Sequence, residues 1–417
     1  MATISAPARA TGFATGVLSL RGLLALTVAT AHTLGFTIPA DYSASVFDQP
    51  NLLASIAKTI GTAINVPLLF FVISGLSIAR SLDRKQDQGH GPRAYVTFIV
   101  RRALRLYPAY IVATVGVLGF AWMFLIGRPP LNPSRFPSMG YDFLADWLNG
   151  AVFNPLKARS VIANFAGLSW SMNLVIWSLY VEVCAVPLLP LFHGVARRKN
   201  IGADVLTLAA LVLLSMSLWN VMAVRYLFAF YLGMLVQTRG RHWTRELVRR
   251  AGGASTAMAW AWSAVLSTCL LPTDLPACLL IQSVAAFAII SLLVWPGDEH
   301  PFGCLDRRWM HWNGRLSYSF YLWHYIILTV TMRTAYAADV AANLPQRLTL
   351  FAGIELLTFA TALAVAQLSY SYVEGPFIRW GRRLDGWARP EAGRPPRTAF
   401  AARSASPPHN ASPQGAD

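Results

Sequence analysis

Arg21 and His32 are the only ionisable groups in Leu20-Arg21-Gly22-Leu23-Leu24-Ala25-Leu26-Thr27-Val28-Ala29-Thr30-Ala31-His32. Eleven residues are three turns of helix, so both side chains share roughly one face, ~16 Å apart along the axis. They cannot hydrogen-bond to each other; they mark two depths of one element. Histidine titrates near neutrality, which suits it to take the proton of an attacking hydroxyl. The plainer readings are a snorkelling arginine and a histidine bonded to a nearby carbonyl.

Five other places carry polar groups in apolar surroundings. Trp177-Ser178-Leu179-Tyr180-Val181-Glu182 sets Ser178 and Glu182 on one helical face. A carboxylate there requires a partner, with a histidine or arginine expected. Ser317-Tyr318-Ser319-Phe320-Tyr321-Leu322-Trp323-His324 presents Tyr321 and a second histidine inside an apolar run. Ser74 and Gly75 end Phe70-Phe71-Val72-Ile73, a pattern that also suits close helix packing. Arg101, Arg102 and Arg105 precede Tyr107 and Pro108; clustered guanidiniums fit a polyphosphate, and anchoring at a membrane surface is the alternative. Glu355 reads as one half of a buried structural pair.

The surrounding chain decides what positions these groups. Of 417 residues, 55% are hydrophobic and 13% charged, against ~25% charged in an ordinary soluble domain. Mean hydropathy is +0.45. A string of soluble domains is excluded. So are disorder and a disulfide-stapled module, because aromatics reach 12% and there are only four cysteines. Cys184, Cys269, Cys278 and Cys304 lack metal-type spacing, and no metal site or bound cofactor is expected.

The remaining class is an all-α polytopic membrane bundle. Apolar runs at about 16–36, 60–80, 103–126, 171–192, 203–219, 222–238, 255–271, 277–295, 316–336 and 348–372 predict about ten spans. The run 203–238 reads as a tight hairpin, because a single helix of that length would be ~54 Å long. Net charge is +16. Its cations alternate between connections: Arg84, Lys85 and Arg93 in the second, Arg197 to Lys199 in the fourth, Arg241 to Arg250 in the sixth, Arg307 and Arg308 in the eighth. This predicts that both termini are cytoplasmic. Charge spread over several loops also argues against nucleic acid as a partner. The first span reads as a retained helix rather than a signal peptide. The connection 127–170 is expected outside, as a small cap. Residues 1–387 form the predicted transmembrane domain and 388–417 a disordered cytoplasmic tail.

The motifs occur in an order that resembles the acyltransferase-3 family of bacterial membrane O-acyltransferases. Besides the stretches above they include Arg101-Arg102-Ala103-Leu104-Arg105-Leu106-Tyr107-Pro108, Tyr231-Leu232-Gly233-Met234 and Tyr372-Val373-Glu374-Gly375-Pro376-Phe377. The resemblance covers about 16–380. It departs at Gly375, where a basic residue is common, and after His324, where no proline follows. It implies transfer of an acyl group, often acetyl, from cytoplasmic acyl-CoA to a hydroxyl of an envelope or exported carbohydrate or glycolipid, within the bacterial inner membrane. His32 is then the expected base, assisted by Glu182. Arg21, Arg101, Arg102 and Arg105 would hold the CoA phosphates, and Ser74, Trp177, Ser178, Tyr321 and His324 would line the route. A transporter or flippase for an envelope glycolipid is the alternative. It would be expected to show repeated halves or matching broken helices, and no internal repeat is visible.

Overall fold

The computed structural model describes residues 12–37, 66–83, 92–125, 158–268, 276–295, 303–337 and 344–384. The tail 388–417, Cys269 and most of the connection 127–170 lie outside the described residues. No strand occurs among the described residues, so the expected all-α class holds there. Among the described residues, five helical stretches are long and apolar enough to cross a membrane: Gly16–Leu34, Val66–Asp83, Arg93–Phe124, Pro276–Val294 and Pro345–Arg383. The molecule is a membrane protein whose described residues are all-α.

The long helices that frame the interior are α1 (Gly12–Thr37), α2 (Val66–Asp83) and α3 (Pro92–Phe120). The short α4 (Ala158–Phe165) precedes α5 (Trp177–Ala185) and α6 (Leu189–Arg197). The chain continues through α7 (Ile201–Ser217), α8 (Met222–Arg225) and α9 (Leu227–Thr238). Next come α10 (Gly240–Ala251), α11 (Ala254–Ser267) and α12 (Pro276–Val294). The last elements are α13 (Arg308–Ala337), α14 (Leu344–Ser369) and α15 (Gly375–Arg383).

Two helix pairs form the spine: α2 with α9, and α1 with α13. Lipid is as apolar as leucine, so association in a bilayer depends on close packing rather than on hydrophobic burial. Glycine permits it. A Cβ on Gly75 would strike the carbonyl of Phe230, and one on Gly233 would strike the carbonyl of Val72. Around this crossing Phe71 packs against Phe230 and Tyr226, each with ring centroids 5.1 Å apart.

The run 203–238 is a hairpin, as its length required. Ser215 Oγ donates to the Arg225 carbonyl at 2.7 Å, and Arg225 Nε donates to the Trp219 carbonyl at 2.7 Å. The Arg225 guanidinium sits 4.3 Å above the Trp219 ring. The run 171–192 departs from expectation. It is not one straight span: α5 is preceded by a 3₁₀ turn at Leu174–Ile176, and that stretch meets α6 at 63°. Pro187 and Pro190 remove two backbone donors in succession, which breaks a helix. The described residues before α5 are tied to α3. The hydroxyl of Tyr110 donates to the Asn164 carbonyl, and that of Tyr107 to the Ala166 carbonyl at 2.9 Å. Both tyrosines lie near the middle of α3.

The α10 helix carries Arg241, Arg245, Arg249 and Arg250 outward and ends at Gly252, whose φ of +75° suits glycine. The chain then turns directly into α11.

Candidate active site

Arginines form the floor of the site. Arg101, Arg102 and Arg105 lie on successive turns of α3 and face a cavity of about 500 Å³. Ser77 and Ser81 of α2 and Arg382 of α15 complete its polar lining. This volume is within the range of small-ligand sites, ~300–1,000 Å³. Gly381 lets α15 approach closely: its Cβ position lies 3.6 Å from the Arg101 side chain. Arg382 is a member of this basic cluster that the motifs did not single out; its signal was only a cation after the last apolar run.

A second, narrower cavity of about 80 Å³ is also lined by Arg102 and Arg105. Arg21, Ser74, Ser178, Glu182 and Tyr321 line it as well. Arg102 therefore belongs to both spaces. Its guanidinium ion-pairs with Glu182 and donates to Ser74 Oγ at 2.5 Å. Ser74 Oγ in turn donates to Glu182 Oε1 at 2.9 Å. Three helices, α2, α3 and α5, meet in this cluster. The partner that Glu182 required is an arginine. Arg102 and Glu182 retain only 11% and 17% side-chain exposure, so the pair is largely shielded from water.

Glu374 adds a second carboxylate. It accepts a hydrogen bond from Ser319 Oγ at 2.8 Å and lies within electrostatic reach of Arg105 and Arg21. The chain reaches it through a π-helical turn, Tyr370–Glu374. Such a turn inserts one residue and swings the following side chains around the axis.

Beyond the narrow cavity stands a histidine pair. His32 Nδ1 lies 3.1 Å from His324 Nε2, and the rings are within 2° of parallel. Tyr325 meets the His32 ring edge-on, with centroids 5.3 Å apart. Tyr321 joins the two zones. It lines the narrow cavity, its ring centroid is 5.7 Å from that of His324, and its hydroxyl accepts from Ser178 Oγ at 3.0 Å. The hydroxyl itself donates to the Val175 carbonyl at 2.8 Å.

The structure thus brings Arg21, Arg102, Arg105, Ser74, Ser178, Glu182 and Tyr321 around one space. Arg101 faces only the larger, basic cavity. The histidine pair adjoins through Tyr321. Trp177 faces neither cavity; it packs against Phe71 and Tyr226, at 6.1 and 5.5 Å between ring centroids, and so forms a wall. Glu355 accepts from Thr30 Oγ1 at 2.5 Å rather than pairing with a cation there. Among the described residues, no three His, Cys, Asp or Glu side chains are grouped to hold a metal ion.

A family model described as an acyltransferase domain matches residues 17–368, from α1 through nearly all of α14. No curated protein and no solved structure matches the chain.

Proposed function

The chain belongs to the acyltransferase-3 family and is an acyltransferase; from that premise we propose that it moves an acyl group, acetyl in the simplest case, from cytoplasmic acyl-CoA to a hydroxyl of an envelope or exported carbohydrate or glycolipid. The single observation that carries this reading is the gradation along the interior. Guanidiniums of Arg101, Arg102, Arg105 and Arg382 line the wide cavity. Arg21, Arg102 and Arg105 border the narrow one, where serine, tyrosine and carboxylate groups join them. The histidine pair follows.

A CoA thioester has the matching order of chemistry. Its phosphates suit bidentate guanidiniums. Its flexible stalk suits the narrow passage, and its carbonyl carbon is the reacting atom. Arg21 and His32 are ~16 Å apart along α1, a separation that an extended pantetheine arm spans. In this reading His32 takes the proton of the acceptor hydroxyl as its oxygen attacks the thioester carbonyl. The C–S bond breaks, and the proton passes on to the departing CoA thiolate. Ser74, Glu182 and Arg102 shape the passage. The cation alternation supports ten spans, cytoplasmic termini and an inner-membrane location, with the wide cavity toward the cytoplasm.

Purified protein in micelles, given labelled acetyl-CoA with and without an envelope oligosaccharide fraction, tests the proposal. Label appearing on the carbohydrate supports it. Transport of glycolipid without cleavage of acetyl-CoA refutes it.

A further inference from the structure

We infer that His324 is a positioning residue that fixes the tautomer of His32 and leaves the lone pair of His32 Nε2 for the acceptor hydroxyl. This rests on the reading of His32 as the base. A backbone carbonyl starts the chain of constraints. His324 Nδ1 lies 3.3 Å from the carbonyl oxygen of Phe320, one turn earlier on α13. A carbonyl oxygen only accepts, so the nitrogen facing it carries the hydrogen. A neutral imidazole has one N–H, so His324 Nε2 is bare. That bare nitrogen is 3.1 Å from His32 Nδ1. Two facing nitrogens bond only when one of them carries hydrogen, so His32 Nδ1 donates. The lone pair of His32 is then on Nε2.

Burial assigns the two roles. His324 is 0% exposed and lines neither cavity, although it was expected along the route. His32 is only partly buried. Packing holds both rings in place: Phe320 stacks on His324 at 5.6 Å between centroids, and Tyr325 abuts His32. When His32 Nε2 takes the hydroxyl proton, its Nδ1–H bond to His324 becomes charge-assisted and strengthens. The imidazolium is stabilised where it forms, and His324 neither gains nor loses a proton.

Two measurements test this. In ¹⁵N NMR of histidine-labelled protein in bilayers, His32 should carry its hydrogen on Nδ1. Hydrogen on Nε2 overturns the inference. In kinetics, His324→Phe keeps a flat ring but removes the acceptor nitrogen. With acetyl-CoA and an envelope oligosaccharide fraction, its kcat per folded molecule should fall ~100-fold while KM for acetyl-CoA stays within about threefold. In His324→Gln the amide oxygen can accept from His32 Nδ1, and about tenfold of the loss should return. Near wild-type kcat in folded His324→Phe overturns the inference, as does a glutamine variant no better than the phenylalanine one. His32→Ala, run in parallel, separates the failures. If it stays active, the base reading falls and takes this inference with it. If it is inactive while His324→Phe is active, only the positioning role falls.

Discussion

Arg102 has two jobs in this structure, and they separate experimentally. It faces the wide basic cavity, and it neutralises Glu182. Arg102→Gln removes both functions. The carboxylate of Glu182 would keep only the Ser74 hydroxyl as a donor. Removing one partner of a buried ion pair costs ~3–5 kcal/mol, because the other charge stays behind. The residual exposure of the pair and the surviving Ser74 bond argue for the lower end, ~3 kcal/mol. That corresponds to roughly 5 °C or more in apparent melting temperature. Loss of a charge-assisted phosphate contact adds ~1.5–3 kcal/mol on the donor side, so KM for acetyl-CoA should rise roughly 10- to 100-fold. The double variant Arg102→Gln with Glu182→Gln has no stranded charge. Neutralising both members of a buried pair is often close to neutral for stability. Its melting temperature should therefore return near that of the wild type, while KM stays high. Detergent-solubilised protein, melted by intrinsic fluorescence and titrated with acetyl-CoA, gives both numbers. A double variant as unstable as the single one refutes the stranded-charge account. An unchanged KM in both refutes the phosphate assignment.

Other expectations follow from single contacts. Arg101→Gln and Arg382→Gln face the same cavity without the Glu182 pair, so each should raise KM for acetyl-CoA roughly 10- to 100-fold with little change in melting, and the effect should shrink at high salt. His32→Ala should cut kcat by ~10²–10⁴ with modest change in KM; a loss of only a few fold in folded protein would return it to a structural role. Gly75→Val should abolish the folded protein in size-exclusion profiles, since the added carbon meets the Phe230 backbone, whereas Gly119→Ala has nothing within 4 Å and should be tolerated. A cysteine placed at Arg245 should resist an impermeant thiol reagent in intact cells and react after permeabilisation; labelling from outside would overturn the orientation.

Along each single helix the sequence was informative. The spacing from Arg21 to His32, the apolar runs, the loop cations and the order of short motifs led to a membrane acyltransferase and most of its polar interior. The hairpin at 203–238 followed from length alone. The break between α5 and α6 was also written in the chain, as Pro187 and Pro190, though the run's apolar character masked it. The pairings were not legible. His32 meets His324 across 292 residues of sequence, and Ser74 meets Glu182 across 108. Glu374 turns inward through a π turn that no residue pattern announces. Helical periodicity is a local property and states which side chains share a face. Which face meets which neighbour is a property of packing. In lipid every apolar face is solvated about equally well, so hydropathy does not discriminate among them. The choice falls to close backbone contact at Gly75 and Gly233, and to the few polar groups that must find one another.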